Sequence, residues 1–386
     1  MELVRLTQAD YDEWLQLLNY VFGRKNQRDM NFEQELPKMC VRDEAHMAKH
    51  LAIREDGKLV AVVGIYPFPV QIGEDRFLFS TVGNVVTLPE YEGRGYMQML
   101  FSTAMEELER MGVDASRLGG VRQRYNRFGY EACGSQYSFT VNSHGRSHCM
   151  APDTPKLRFV QVGPEDHALL EAMEGIHARD PMRVLRAEEG GTRGVYDVLT
   201  AWRNVPYAAL TEDGKVIGSL TVSEAGDQIA EVCAVDPEAL KAVIYRWQER
   251  LGKDIRFTLP AFEVEGVRYF TGCAAASSLS SPCHFKFLRY DRVANALMQL
   301  KRELMPGLPT GEYFLGIEGW GTLRLYAEND RAGCEKTDRK PQAVLNRLEA
   351  SRLLFGPWEP EQLLPYHPFL KAWLPLPLSW NTLDRV

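Results

Sequence analysis

The feature that most constrains the fold is a strand-turn-strand pattern that occurs twice, about 150 residues apart. Apolar runs flank Asp56-Gly57 in the first copy and Asp213-Gly214 in the second. An Asp-Gly pair between two such runs is typical of a β-hairpin. A proline that ends a strand-like run, Pro89 or Pro237, recurs at similar spacing. The pattern predicts two copies of one α+β fold, with coincidence between two common hairpins as the alternative.

The length of the chain agrees with such a duplication and leaves a further C-terminal region that belongs to neither copy. A chain of 386 residues is expected to form two or three domains at about 150 residues per domain. A segment with two prolines at 151–157 separates the two copies, and the region from 289 onward matches neither. We therefore expect a first domain over 1–150, a second, degenerate copy over 151–288, and a distinct third domain over 289–386.

Local patterns predict how the first and third regions are built. Alternating polar and apolar residues favour a strand at Glu2–Leu6, and helical spacing favours a helix from Tyr11 to Phe22, followed by an irregular segment. The third region is expected to begin with a helix near Arg289. It should continue with strands near 313–317 and 323–326 and a helix near 341–348.

Composition excludes several classes of protein. The net charge of −7 and the absence of a basic cluster argue against a nucleic-acid partner, and 45% hydrophobic residues argue against disorder. Seven scattered cysteines without a Cys-x-x-Cys pair are typical of free thiols. We see no signal peptide and no membrane span, so we expect a cytoplasmic protein. Two pairs of histidines lie four residues apart, His46 with His50 and His144 with His148. Neither pair has the glutamate of a His-Glu-x-x-His site, so no metal is expected.

A candidate phosphate-binding segment follows the second apolar run of the first region. A strand over Val85–Thr87 runs into Gly93-Arg94-Gly95, and a helical stripe begins at Met97. A glycine turn at a helix N-terminus presents free N–H groups and a positive dipole to an anion. Glycines in turns more often serve geometry alone, so this motif is weak by itself.

The combination resembles a known superfamily. Three antiparallel strands, the glycine turn with its helix, and the later Tyr-x-x-Phe-Gly-Tyr at Tyr125–Tyr130 resemble the GNAT N-acetyltransferases. Their cofactor signature is Arg/Gln-x-x-Gly-x-Gly/Ala, of which Gly95 matches, whereas Glu92 and Met97 depart from it. The duplication, the glycine-free second copy and the distinct last region resemble the Eis-like (enhanced intracellular survival) branch. That branch combines tandem GNAT folds, which have mixed, mostly antiparallel sheets, with a sterol-carrier-like α+β domain.

The resemblance implies acetyl-coenzyme A as co-substrate and assigns residues to it. Pantetheine would pair with the strand at Val85, Val86 and Thr87, and an N–H near Val86 would hold the oxyanion. The diphosphate would lie on the turn formed by Gly93, Arg94, Gly95, Tyr96, Met97 and Gln98.

The resemblance also implies direct transfer of the acetyl group to an amine. Tyr125 would protonate the departing thiolate, with a core aromatic residue as the alternative interpretation. The C-terminal carboxylate, carried by Val386, would take the proton of the amine.

The expected acceptor is a primary amine on a small cationic molecule, either aminoglycoside-like or polyamine-like. Carboxylates beside an aromatic wall suit such a molecule, and the segment after the first helix supplies Asp29, Phe32, Glu33 and Glu35. A solvated charged loop is the alternative for these four residues. A homo-oligomer is left open. The alternative function is a non-catalytic acyl-CoA- or lipid-binding protein with a decayed site, which Glu92 would favour.

Overall fold

The computed structural model describes residues 1–150, 154–188 and 190–384. The strands and helices of the first half are, in chain order, β1 (Glu2–Arg5), α1 (Tyr11–Asn26), α2 (Phe32–Glu35), α3 (Glu44–Met47), β2 (His50–Glu55), β3 (Lys58–Ile72), β4 (Asp75–Thr87), α4 (Tyr96–Arg110), β5 (Ala115–Leu118), α5 (Arg122–Tyr125), β6 (Glu131–Cys133), β7 (Gln136–Val141) and α6 (Ser143–Cys149).

The second half repeats much of this order. Its strands and helices are β8 (Arg158–Gln161), α7 (His167–His177), β9 (Met182–Val184), α8 (Gly191–Leu199), β10 (Val205–Leu210), β11 (Val216–Val222), β12 (Ile229–Ala234), α9 (Pro237–Leu251), β13 (Ile255–Pro260), α10 (Val264–Cys273), β14 (Ala276–Ser280) and β15 (Cys283–Phe287).

Both predicted hairpins are present. Asp56 and Gly57 join β2 to β3 with φ values of 51° and 78°, the left-handed conformation that a tight two-residue hairpin turn requires. Gly214, with φ 87°, turns the chain between β10 and β11. The turns therefore arise from local chemistry that the sequence displays directly.

The main sheet has the order β1-β2-β3-β4-β5-β15-β6, and β9 pairs with β3. Its strands are antiparallel except that β4 and β5 run parallel, over Phe79–Thr81 and Ala115–Arg117 only. In the second half, β12-β11-β10-β8 form one sheet and β13-β7-β14 another, with Gln228 and Arg256 as a parallel bridge between them.

Besides the pairing of β9 with β3, the two halves exchange one strand each. Strand β7, which follows β6 of the first half, lies between β13 and β14 of the second. Strand β15, which follows β14 of the second half, lies between β5 and β6 of the first. The exchange is reciprocal, as expected for two copies of one fold. The chain therefore crosses between halves shortly before each of the predicted limits at 150 and 288, which stay a prediction.

The third region is an α+β unit. It contains α11 (Tyr290–Leu304), β16 (Gly311–Ile317), β17 (Gly321–Ala327), β18 (Ala332–Thr337), β19 (Ala343–Leu345), α12 (Arg347–Phe355) and α13 (Pro368–Trp373). The sheet order is β18-β17-β16-β19, and α11 packs on β18. Leu315, Leu323, Leu353 and Trp373 are buried in its core.

Two of the predicted elements are corrected. Residues 343–345 form a strand parallel to β16 instead of the first turn of a helix. Helix α12 begins only at Arg347, because the Asn346 side chain accepts the N–H groups of Leu348 and Glu349 at 3.0 Å each and caps the helix there. In the first half, α1 continues to Asn26 and α2 interrupts the segment expected to be irregular.

Among the described residues, no helix is both long enough and apolar enough to cross a membrane.

Candidate active site

The candidate site begins where β4 and β5 separate. Beyond Thr81 the described residues of β4 have no partner on the β5 side, so its last residues form an open strand edge. Asn84 has a φ of 51°, and the pairing with β3 shifts register at this point. Such a bulge bends the strand and redirects its backbone groups. The edge at Val85–Thr87 can pair with an extended ligand, which fits pantetheine.

The turn into α4 fits a diphosphate. Gly93 and Gly95 have φ values of 79° and 82°, and a Cβ at either position would meet nothing within 4 Å. The first backbone bond of the helix runs from Met99 N–H to the Gly95 carbonyl, at 3.0 Å. The N–H groups of Tyr96, Met97 and Gln98 precede that bond, so they lack intrahelical acceptors. This is the geometry of an anion site at a helix N-terminus.

Two side chains of this turn, Arg94 and Tyr96, bind the same carboxylate, that of Glu55 in β2. Arg94 forms an ion pair with Glu55 at 2.9 Å and lies over the Tyr91 ring at 4.6 Å. The Tyr96 hydroxyl also donates to the Glu55 carboxylate. Glu92 is exposed. Backbone N–H groups, more than the Arg94 charge, are therefore free to hold an anion here.

Tyr125 ends the short helix α5 and is buried beside α4. Its ring centroid lies 5.3 Å from that of Phe101. Burial raises the pKa of the Tyr125 phenol, against a smaller opposing effect of Arg124. Gly129, with φ 87°, then turns the chain into β6. The phenol therefore stays protonated at neutral pH, which a proton donor requires.

The chain's last described residues reach the split between β4 and β5. Arg117, which lies opposite Thr81 in the parallel pairing, donates to the Asp384 carbonyl at 3.1 Å. The Lys38 ammonium donates to the Leu383 carbonyl. We name residues 382–384 the anchored segment, because two of its carbonyl groups accept hydrogen bonds from Arg117 and Lys38. Val386 lies outside the described residues.

A buried ion cluster fixes the anchored segment further. Arg186 contacts Asp384 through Nε at 2.9 Å and binds Glu231 at 2.6 Å. Burial alone would raise the pKa of Asp384, but Arg186 and Lys38 outweigh it and lower that pKa. Burial also lowers the pKa of Lys38 to about 7, although Asp384 opposes the shift. The segment is thus tied by charges that water does not screen.

A cavity of about 480 Å³, which we name the first cavity, lies between β3, β4 and the anchored segment. Its lining includes Lys38, His46, Tyr66, Phe68, Thr81, Arg186, Asp197 and Asp384. The Thr81 hydroxyl is buried and makes no hydrogen bond within the described part of the chain. The Tyr66 hydroxyl is fixed by Asn84 Nδ2 at 2.6 Å and His50 Nε2 at 2.7 Å. The cavity therefore presents polar groups at the strand split.

The acceptor residues predicted from sequence lie elsewhere. Asp29 is exposed, and Phe32 is buried against Phe22. Glu33 accepts a hydrogen bond from the Tyr11 hydroxyl at 2.9 Å, and Glu35 forms an ion pair with Arg28 at 2.6 Å. The lining of the first cavity includes none of these four predicted residues.

Sequence reasoning missed Tyr66, Thr81, Arg117 and Arg186. Only Arg117 carried a signal, as a cation inside the short, fully buried strand β5, where a buried charge needs a partner.

Residues 2–133 match the family model described as an acetyltransferase (GNAT) domain. No curated protein sequence matches the chain.

Solved structures match over nearly the whole length. A probable N-acyltransferase from Enterococcus faecalis V583 is 15% identical, with a TM-score of 0.68 over 98% of this chain and 97% of that one. Eis1 from Mycobacterium abscessus is 12% identical, with a TM-score of 0.66 over 99% and 98%. A GCN5-related N-acetyltransferase from Kribbella flavida is 19% identical, with a TM-score of 0.62 over 91% and 89%. At these identities the likeness concerns the fold.

The match over residues 2–133 to the GNAT acetyltransferase model indicates an acyltransferase, and GNAT enzymes use an acyl-coenzyme A. The chain as a whole has the Eis-like fold. The described residues contain no group of three His, Cys, Asp or Glu side chains placed to hold a metal ion.

Proposed function

We propose that the protein transfers an acetyl group from acetyl-coenzyme A to a primary amine of a small cationic molecule, aminoglycoside-like or polyamine-like. The observation that carries the proposal is the anchored segment, which Arg117 and Lys38 hold beside the β4–β5 split and the first cavity. The anchored segment thus adjoins both the strand split next to the expected cofactor edge and the first cavity.

The residues of the first half fit acetyl-coenzyme A, which would supply an activated thioester. The open edge at Val85–Thr87 would pair with the pantetheine arm. The N–H groups from Gly93 to Gln98, with Arg94 beside them, would hold the diphosphate. An N–H near Val86 would donate to the carbonyl oxygen as negative charge develops on it.

Two groups would move protons. As the amine nitrogen bonds to the carbonyl carbon and the carbon–sulfur bond breaks, Tyr125 would give its phenolic proton to the thiolate. A phenol with a raised pKa holds that proton until a strong base forms. The Val386 carboxylate would take the proton from the amine nitrogen and would attract a cationic acceptor before that.

The first cavity supports a small acceptor. Its volume of about 480 Å³ lies within the range of small-molecule sites. Tyr66 and Phe68 supply aromatic surface of the kind that attracts an ammonium group. The Thr81 hydroxyl has no other partner in the described structure and is free to bind a polar group of the acceptor.

Three variants test the assignment of acid and base. Coenzyme A release is measured with a saturating amine for Tyr125→Phe, for a chain lacking Val386, and for Tyr130→Phe as control. Tyr130 is also a buried tyrosine near Phe101, and its hydroxyl is bound to Ser116 at 2.7 Å. We expect kcat to fall roughly 10²-fold or more in the first two variants and to change little in the control. Full turnover in Tyr125→Phe and in the chain lacking Val386 would show that the acid and the base are assigned wrongly.

A further inference from the structure

A buried tyrosine, Tyr66, lies across the main sheet beside the β4–β5 split. In the pairing of β2, β3 and β4, His50 lies opposite Gly64, and Gly64 lies opposite Gly83, so the three residues form one row. A Cβ on Gly64 would lie 2.5 Å from Cζ and 2.6 Å from Cε2 of the Tyr66 ring. Only glycine allows so close an approach. Gly64 therefore lets the Tyr66 ring fold back over its own strand.

The Tyr66 hydroxyl lies between a donor, Asn84, and an acceptor, His50, and both are buried. Nδ2 of Asn84 donates to the hydroxyl oxygen at 2.6 Å. Nδ1 of His50 lies 3.1 Å from the Met47 carbonyl, which can only accept, so this nitrogen carries the ring proton. Burial lowers the pKa of His50 to about 3, so the ring is neutral and its Nε2 is an acceptor. The hydroxyl therefore donates to Nε2, at 2.7 Å, and accepts from Asn84.

Asn84, which the hydroxyl binds, is the bulge residue of β4. Between two successive pairs of β3 and β4, the first strand has one residue and the second has two, Asn84 and Val85. Asn84 takes up the extra length with a φ of 51°. Residues other than glycine adopt that conformation rarely, and it persists where the surrounding structure holds it. The hydrogen bond to Tyr66 holds the Asn84 side chain at this point.

The bulge sets which backbone groups of β4 face the split. The N–H groups of successive strand residues point to opposite edges of the strand. Beyond the bulge, the Leu88 N–H donates to the Val60 carbonyl at 2.9 Å, toward β3. Its neighbour Thr87 therefore directs its N–H to the open edge. One residue fewer in β4 would reverse this alternation and turn the other set of N–H groups toward the split.

We propose that Tyr66 is a positioning residue for acyl transfer. Its hydroxyl, through Asn84, holds the bulge and so directs an N–H near Val86 to the thioester carbonyl. This role rests on the proposed function, in which that N–H holds the oxyanion. The Tyr66 ring also lines the first cavity. One side chain thus contributes its ring to the acceptor site and its hydroxyl to the geometry of the oxyanion site.

Tyr66→Phe tests the proposal, because it removes the hydroxyl and keeps the ring. Coenzyme A release is measured over ranges of acetyl-coenzyme A and amine concentration. Loss of a whole oxyanion donor costs about 10²–10³-fold in kcat, so we expect its displacement to lower kcat at least about tenfold. KM for the amine should not change, since the ring remains. The control is Tyr290→Phe, which also removes a buried hydroxyl with two hydrogen bonds, but in the third region, and should keep full kcat.

Two substitutions of Asn84 separate its backbone conformation from its hydrogen bond. Neither alanine nor glycine can bind the Tyr66 hydroxyl, but glycine adopts a positive φ without strain and alanine does not. We expect kcat to be about tenfold higher in Asn84→Gly than in Asn84→Ala, because only glycine keeps the bulge accessible. Equal kcat values in the two variants would show that the bulge does not control turnover.

Hydrogen exchange of residues 83–88, followed by mass spectrometry, examines the bulge without turnover. Exchange there should be faster in Tyr66→Phe than in the wild-type chain and in Tyr290→Phe. Unchanged exchange, or an unchanged kcat, in Tyr66→Phe would overturn the role of Tyr66. A wild-type chain without turnover would overturn the proposed function instead, and exchange alone would then decide whether Tyr66 holds the bulge. Circular dichroism shows whether Tyr66→Phe is folded; if it is not, the two Asn84 variants decide.

Discussion

Replacing Arg186 by methionine is expected to destabilise the protein strongly. The Arg186 side chain is 1% exposed, and its partners Glu231 and Asp384 are 5% and 6% exposed. The guanidinium makes contacts of 2.6 to 3.0 Å with both carboxylates. Methionine would fill similar space but would leave the buried Glu231 carboxylate without an ion-pair partner and Asp384 with only Lys38 nearby. Breaking a buried pair in this way costs about 3–5 kcal/mol of the free energy of unfolding.

Urea unfolding followed by circular dichroism measures this loss. The control is Arg76→Met, because Arg76 and its partner Glu188 are 62% and 41% exposed. An exposed pair contributes at most about 1 kcal/mol. Adding Glu231→Gln and Asp384→Asn to Arg186→Met should recover much of the loss, since neither carboxylate of the cluster then remains charged and unpaired. A loss below about 1 kcal/mol in Arg186→Met would refute the claim that this cluster fixes the anchored segment.

Two further changes have defined outcomes. The pKa of Asp180 is raised from 3.8 to about 7 by burial, so the folded state binds more protons than the unfolded state between those values, and the unfolding free energy should fall as pH rises from 4 to 7. Asp180→Asn should remove about 3 kcal/mol of the difference in unfolding free energy between urea titrations at pH 5 and pH 8, and an unchanged pH dependence would contradict the raised pKa of Asp180. Gly95→Ala should cost about 1–2 kcal/mol of stability for its positive φ and raise KM for acetyl-coenzyme A. Gly112→Ala, at the other end of α4 with φ 69° and open space around it, should cost as much stability and leave KM unchanged; equal KM values for the two variants would remove the turn from the cofactor site.

The features that the sequence predicts correctly depend on neighbouring residues. Asp56-Gly57 predicts a hairpin because both residues adopt positive φ readily. The strand, glycine turn and helix that end in α4 follow from Gly95 and the apolar stripe behind it. Each of these features is determined by a few neighbouring residues, so it can be predicted from a single sequence.

What the sequence does not reveal depends on distant pairing. Strands β7 and β15 exchange between halves, and no local pattern distinguishes a strand that pairs within its own copy from one that pairs with the other. Residues 341–348 have a helix-like pattern, but pairing of β19 with β16 makes their centre a strand. Tertiary contacts override local preference here.

The same limit applies to the site. Glu35 is a plausible acceptor ligand in sequence, but it lies beside Arg28 in space and is neutralised by it. Arg186 and Asp384 are about two hundred residues apart in the chain and meet only in the fold. Whether a charged side chain has an ion-pair partner therefore depends on the packed structure and not on its neighbours in the sequence.

The most direct test of the account is the release of coenzyme A from acetyl-coenzyme A by the wild-type chain with a panel of acceptors. The panel includes primary diamines, an aminoglycoside and the corresponding alcohols. We expect saturable release with at least one cationic primary amine and none above background with its alcohol counterpart. Absence of saturable acetyl-coenzyme A binding at millimolar concentration, or equal release with alcohols and amines, would contradict it.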